Sequence, residues 1–417
     1  MTPADVRLLR DAEVMRRAVA AIPAVSDGRV HVRKLAFERL WVKPGRHCHA
    51  AYRMIVDTER GTFETFASAA LVRDAGRGAA LLREVRALPT TGAPWPPDVA
   101  TALVDAPCAL VQLFPWDHRL PTLAGALDTD RVGAVLGVAV RAAAPVGYWP
   151  GMRCQLRYET ENGLLFGKVF PDASGGDVAG LLASLGDALA HAEGIAVPAL
   201  RAWVPSLHLL VTTPLDGEPL LERLAHGATP ALLAEVAAAL ARLHTVSLAT
   251  IARRFDPDDD LEVVRSWVAF TTCVFPELGV PLAQALDRLE RARPSGEGAN
   301  VVVHRDFYDK QVLVGARRVG VLDLDTLCHG DAEIDVGNFC AHLVLRGLQW
   351  HDAPDAFAEL GTVFVGAYRE HRSALDRARL EWYRASTLLR LACVYALRPR
   401  WAALAPRLAQ ESGRALG

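Results

Sequence analysis

The stretch from Val301 to Asp335, VVVHRDFYDKQVLVGARRVGVLDLDTLCHGDAEID, holds the residue types best suited to chemistry. His304-Arg-Asp306 closes a β-branched run, Val301 to Val303. A side-chain amide, Gln311, follows five residues after the acid, and Asp323 follows seventeen residues after it. Phosphoryl transfer needs such an order. One carboxylate accepts or orients the attacking hydroxyl, and a second holds magnesium on the nucleotide phosphates with an amide oxygen beside it. Either aspartate alone reads better as a solvated acid at the mouth of a hairpin. The combined types and spacing are what point to catalysis.

Positioning these groups requires strands. Val301–Val303, a run from Gln311 to Val314 and a run from Val319 to Leu322 all read as strands, with Gly315-Ala-Arg-Arg as the tight connection between the last two. Asp306 and Asp323 then each lie at a strand end, and a hairpin between them would bring them together. From residue 229 onward the chain reads as largely helical. Thr229 is an N-cap and Pro230 the first helical residue of a helix ending near His244. Further helical material spans 260–290 and the region after Asp335. The acid-rich run Asp256 to Asp260, with Glu262, reads as a solvated loop.

Upstream, two stretches look alike. Pro44-Gly45, Cys48 and Tyr52 recur as Pro150-Gly151, Cys154 and Tyr158 at an offset of 106 residues. Each is followed by a strand, a helix, another strand and a Pro-containing exit, which predicts duplication of a small α+β unit. Residues 1–25 read as one leading helix, 76–88 as the helix of the first copy and about 177–193 as that of the second, with Gly194 as its C-cap. The copies differ in charge. Only four of the 46 basic residues are lysine (Lys34, Lys43, Lys168, Lys310), and Lys168 stands in the middle of an apolar strand of the second copy. The comparable place in the first copy has Phe66, Ala67 and Ser68. A lysine in such a strand is costly unless an anion meets it, and ATP phosphates are such an anion. An acid on the following helix would steady it; Asp187 is preferred to Glu193.

Composition sets the outer limits. The 417 residues suit two or three domains, 51% are apolar and 23% charged, and the net charge is −2. Neither a nucleic-acid nor a membrane partner is expected: there is no basic run, no signal-peptide pattern and no apolar run long enough to span a bilayer. The seven cysteines are scattered without a CxxC and read as reduced core thiols, which predicts a cytoplasmic protein. His47-Cys48-His49 looks metal-like, but neighbours on a strand point to opposite faces and would not share one ion.

Together, the catalytic stretch and the Lys168 strand resemble the aminoglycoside phosphotransferase and choline kinase group, with its protein-kinase-like fold. His304-Arg-Asp306 with Gln311 is similar to the group's His-x-Asp-x-x-x-x-Asn loop. Leu322-Asp323-Leu-Asp325 is similar to its metal-binding Asp, and Gly330-Asp331-Ala-Glu-Ile-Asp335 to its Gly-Asp-Pro-x-x-Asp element. Gln311 departs from the usual Asn and Ala332 from the usual Pro. The part before the kinase core is similar in outline to the cap domain of maltokinases, without a shared motif.

The resemblance implies an α+β, bilobal protein-kinase-like fold with an extra N-terminal α+β lobe. Residues 1–140 would form a cap or duplicated pseudo-N-lobe, 141–215 the kinase N-lobe and 216–417 the helical C-lobe. It implies a small-molecule kinase using ATP and Mg²⁺ on a hydroxyl of a sugar, aminoglycoside or similar acceptor. Asp306 would be the catalytic acid and His304 the brace of its loop. Lys168 would meet the phosphates, with Thr213 and Leu215 in the adenine hinge. Gln311 and Asp323 would hold the metal, with Asp325 outside them. Asp335 would anchor the loop. Lys310 either meets the γ-phosphate or is simply exposed. A nucleotide-binding regulator without transfer activity, and a scaffold whose duplicated lobes form a homodimer surface, are the rival readings.

Overall fold

The computed structural model describes residues 3–43, 47–90, 93–227, 229–296, 298–350 and 354–417. The chain divides into two compact units: Met1–Ala179 with Leu200–Pro214, and Gly180–Ala199 with Leu215–Gly417.

The first unit contains two antiparallel five-stranded sheets. One uses His31–Lys43, His47–Thr58, Gly61–Leu71, Thr101–Val104 and Ala109–Leu113; the other uses Val140–Trp149, Arg153–Thr160, Gly163–Val169, Leu200–Val204 and Leu209–Thr212. In both, the strands lie in the order first, second, third, fifth, fourth, and a helix separates third from fourth (Ala75–Arg86 and Gly175–Leu189). The leading hairpins also share their irregularities. Register shifts fall between Val32 and Lys34 and between Phe37 and Arg39 in one, and between Val140 and Ala142 and between Pro145 and Gly147 in the other. Bulges at matched spacing are built-in features of a strand pair, so they argue for one ancestral unit present twice. The Pro44-Gly45 turn that suggested the repeat lies outside the described residues.

Alternation explains the packing. In Arg153–Thr160 every second side chain is buried, and Cys154, Leu156 and Tyr158 meet Val169, Leu209, Val211 and Phe114 in one core. The exit segment of the first copy fastens the second. The buried Asp117 carboxylate accepts from Tyr148 Oη at 2.8 Å and the Gly151 amide at 2.7 Å. The strand Gly61–Leu71 carries no cationic side chain, whereas its counterpart Gly163–Val169 carries Lys168.

The second unit is helical. Thr229 caps Pro230–Leu243 through the Leu232 amide, as expected. Pro257–Val274, Gly279–Arg291, Ala332–Trp350, Pro354–His371, Arg377–Ala396 and Ala405–Ala415 supply most of the rest. Two small sheets carry the loops. Val312–Val314 pairs with Val319–Val321, as expected, with Glu218–Pro219 and Ile195–Ala196 at the two edges. Val301–Val303 instead joins Cys328–Gly330, which in turn pairs with Arg254–Phe255.

Several local expectations are corrected. The N-terminal segment is three short helices, Pro3–Leu8, Ala12–Ala20 and Pro23–Ser26, because the Asp11 carboxylate caps the amides of Glu13 and Val14 and starts a new helix there. Asp256 to Asp260 is no loop: Asp256 forms a capping box with Asp259, and Asp260 is buried in the first turn. The helix of the second copy ends at Leu189, so Glu193 and Gly194 lie beyond it. Strands Thr101–Val104 and Leu200–Val204 were not foreseen; both are short sheet edges flanked by prolines.

All seven cysteines are unpaired, and five are buried. Burial raises the thiol of Cys328 to about 11 and those of Cys48, Cys340 and Cys393 to about 12. Since the thiolate is the reactive form, exposed Cys273 is expected to react first with a disulfide reagent in the native protein. Cys48, Cys154, Cys328, Cys340 and Cys393 are expected to stay silent until denaturant is added. Rapid native-state labelling of those five by mass spectrometry would contradict the packing described.

Candidate active site

The loop after Val301–Val303 is held by one buried helix. Every residue of Ala332–Trp350 from Ala332 to Leu348 is buried, and of its polar side chains all but His342, whose ring nitrogens have no partner, are hydrogen-bonded. Four of them, Asp335, Asn338, His342 and Arg346, recur at helical spacing on one face. They grip successive positions of the loop. Asp335 Oδ2 accepts from the His304 amide at 2.6 Å and Oδ1 from the Arg305 amide at 2.7 Å. Asn338 Nδ2 donates to Phe307 O at 2.9 Å. His342 stacks on Tyr308 with ring centroids 4.2 Å apart. Arg346 makes a bidentate pair with Asp309, Nε–Oδ2 2.8 Å and Nη2–Oδ1 3.1 Å.

Asp335 is fully buried and also accepts from His244 Nε2 at 3.0 Å. His244 Nδ1 lies 2.7 Å from Tyr368 Oη. The histidine that ends the Pro230–Leu243 helix is thereby joined to the loop.

His304 ties the loop to the neighbouring acid. Its Nε2 donates to Leu322 O at 2.8 Å, its Nδ1 receives the Asp306 amide at 3.3 Å, and its carbonyl accepts from Thr326 Oγ1 at 2.7 Å. Both ring nitrogens are committed within the loop, one as donor and one as acceptor. The hairpin completes the arrangement. The Leu322 amide donates to Gln311 O at 2.8 Å, and Gln311 Nε2 stands 3.4 Å from Asp323 Oδ2. Arg305 and Asp323 both have left-handed backbone, with φ of 68° and 59°. For residues with a Cβ this costs about 1 kcal/mol each. Both strained positions adjoin or carry the acids in question.

Among the other residues singled out in the sequence, Asp325 is half-buried in the turn Leu324–Thr326 and Lys310 is exposed. Lys168 is half-buried, paired in register with Gln155 and Leu210, in the first unit. Thr213 ends that unit, and Leu215 begins the return to the second, where it packs against Gly320. Asp187 is exposed on its helix. Among the described residues no group of three or more His, Cys, Asp or Glu side chains could hold a metal. Asn338, His342, Arg346 and Asp309 were not foreseen. The signal was present as a polar stripe in an otherwise apolar helix.

Asp335→Asn keeps the volume but turns an amide toward amide donors. Loss of stability on the order of 3 kcal/mol in urea unfolding is expected, and an unchanged midpoint would refute the bracing role. Burial, with the Arg346 charge second, holds the His342 imidazole well below its usual range. The native state therefore binds fewer protons there than the unfolded chain. This opposes folding progressively as pH falls below about 6.5. His342→Phe is expected to keep the stack and to lose less stability than wild type between pH 7.5 and 5.5.

The match to known proteins follows this geometry. A model of the phosphotransferase enzyme family matches residues 166–383, just over half of the 417-residue chain. A protein of Ralstonia eutropha assigned as an aminoglycoside phosphotransferase superposes with a TM-score of 0.53 at 14% identity, over 69% of this chain and 98% of its own. That likeness shows the protein-kinase-like α+β fold. A spectinomycin phosphotransferase solved with ADP and spectinomycin has a TM-score of 0.49 at 14% identity, covering 69% of this chain and 97% of its own. A macrolide 2′-phosphotransferase from Brachybacterium faecium has 0.43 at 20% identity, covering 69% and 96%. No curated protein matches. The matched span includes Lys168 and the loops from His304 to Asp335, and the chain belongs to the phosphotransferase enzyme family.

Proposed function

We propose that the protein transfers the γ-phosphate of ATP to a hydroxyl of a small polar metabolite, in the sugar and aminoglycoside classes. The observation that carries this is the placement of Gln311 beside Asp323 by one hairpin, with His304 linking that hairpin to the loop of Asp306. Asp306 orients the hydroxyl and takes its proton. An all-oxygen donor set, the Asp323 carboxylate and the Gln311 amide oxygen with Asp325 outside them, fits Mg²⁺. The ion would neutralise charge on the nucleotide phosphates. The 3.4 Å approach of the Gln311 nitrogen to Asp323 fits this if the amide turns its oxygen inward when the ion binds.

Lys168 contacts the α/β phosphates with Asp187 as its steadying acid, and the backbone at Thr213 and Leu215 meets adenine. Lys310, exposed in the free chain, would meet the γ-phosphate. These roles go with a division into a pseudo-N-lobe (1–140), an N-lobe (141–215) and a helical lobe (216–417). Unpaired cysteines and the need for ATP support a cytoplasmic setting; no described helix is long and apolar enough to cross a membrane.

Asp306→Ala and Asp323→Ala are expected to unfold like wild type but to lose at least 10³-fold in turnover of the true acceptor, which is about 4 kcal/mol of transition-state stabilisation. Turnover within tenfold of wild type in either variant would sink the assignment. The longer Gln311 side chain keeps one other reading alive, a regulator that binds nucleotide without transfer. Magnesium-dependent ATP binding with no phosphorylated product across sugars and aminoglycosides would establish it.

A further inference from the structure

Buried arginines in the second unit meet acids. Arg346 pairs with Asp309, and Arg379 Nη1 reaches Asp331 at 2.7 Å. Arg305, next to Asp306, does not. Its guanidinium carbon lies 3.6 Å over the Phe255 ring, and its Nε is buried with no hydrogen-bond partner. Among the described residues it has no ion pair. Stacking on an aromatic face holds a guanidinium in place but leaves its in-plane donors unused.

The surroundings deepen the deficit of negative charge. Burial lowers the Arg305 pKa, and the charges of Arg253 and Arg390 lower it further. Cys328 and Asp260 are the acids facing this group. The Cys328 thiol is raised by burial to about 11 and so carries no charge at neutral pH. Asp260 accepts from Ser386 Oγ and forms no ion pair with Arg305; burial pushes its carboxyl up, while the Arg390 and Arg305 charges draw it down. Arg390 is tied to the catalytic loop by a single intermediary: its Nη2 donates to Asn338 Oδ1 at 3.0 Å, and Asn338 holds Phe307 O. Arg253 enters through its backbone, whose carbonyl accepts the His329 amide at 2.9 Å.

We propose that Arg305, with Arg253 and Arg390 around it, forms an anion-binding site beside Asp306, and that it takes a carboxylate or phosphate group carried by the acceptor. The anion site rests on the stacked Arg305 guanidinium with its unpartnered Nε; its assignment to the acceptor rests on the phosphotransfer reading above. The acceptor class is therefore an acidic or phosphorylated sugar, a planar or tetrahedral anion suited to the guanidinium fork. A polycationic aminoglycoside would meet repulsion here.

The site is tested by calorimetric titration of inorganic phosphate into the full chain saturated with Mg·AMP-PNP, which fills the nucleotide phosphate positions. Wild type is expected to bind one phosphate, and Arg305→Gln and Arg390→Gln at least tenfold more weakly. No binding to wild type, or unchanged affinity in both variants, overturns the site. Should Arg305→Gln fail to fold by circular dichroism, Arg390→Gln decides. The acceptor assignment is tested by ADP release with sugar acids and sugar monophosphates against their neutral parents and against aminoglycosides. At least tenfold higher kcat/KM for the anionic members is expected. Preference for neutral or cationic acceptors overturns the assignment, including the case where phosphate binds as a free anion only. Failure to bind AMP-PNP would count against phosphotransfer instead, with phosphate titrated into the nucleotide-free chain still deciding the site.

Discussion

The Asp335 carboxylate is the interaction on which the His304–Asp309 loop depends. An isolated charge at full burial is prohibitively costly, and three donors from two separate segments make it tolerable. The same bonds fix two successive amides of a loop whose second residue is held at a φ of 68°. An extended path would not present both amides to one carboxylate. The strain at Arg305 and the burial of Asp335 thus each make the other possible, and Asp306 inherits its position from them.

The rest of the grip is a matter of period. A helix returns to the same face every three or four residues, so Asp335, Asn338, His342 and Arg346 form a line along it. The loop from His304 to Asp309 runs along that line and is met in order by a carboxylate, an amide, a ring and a guanidinium. Each contact differs in chemistry, so sliding the loop by one residue would mismatch all four. This is specificity built from unlike pairs, in the way that polar groups in a core can select one register among several.

Much of this was legible from residue types. His304, Asp306, Gln311 and Asp323 are read from spacing because the chemistry demands types that cores avoid. The hairpin carrying Gln311 and Asp323 follows from β-branched runs around a glycine turn. The stripe on Ala332–Trp350 escaped notice because each member alone is an ordinary polar residue, and only their common face reveals them. The partner of Val301–Val303 was not legible either. Pairing with Cys328–Gly330 is a long-range choice, and a strand of three residues carries too little pattern to specify it. Asp256 to Asp260 was misread because capping acids and solvated acids have the same composition and differ only in the backbone that follows. Arg305 could not have been singled out by type, since arginine is abundant in this chain; what sets it apart is a buried Nε with no hydrogen-bond partner.

The first unit raises a different point. Its two sheets share strand order and bulge positions, yet they are not interchangeable modules. Asp117, at the exit of the first copy, is the acceptor for Tyr148 Oη and the Gly151 amide in the opening hairpin of the second. A chain shortened to begin at the second copy would leave a buried phenol and a turn amide with nothing to bond. The copy without the lysine is thus a structural dependency of the copy that has it: deleting it would cost the second copy the acceptor at its turn.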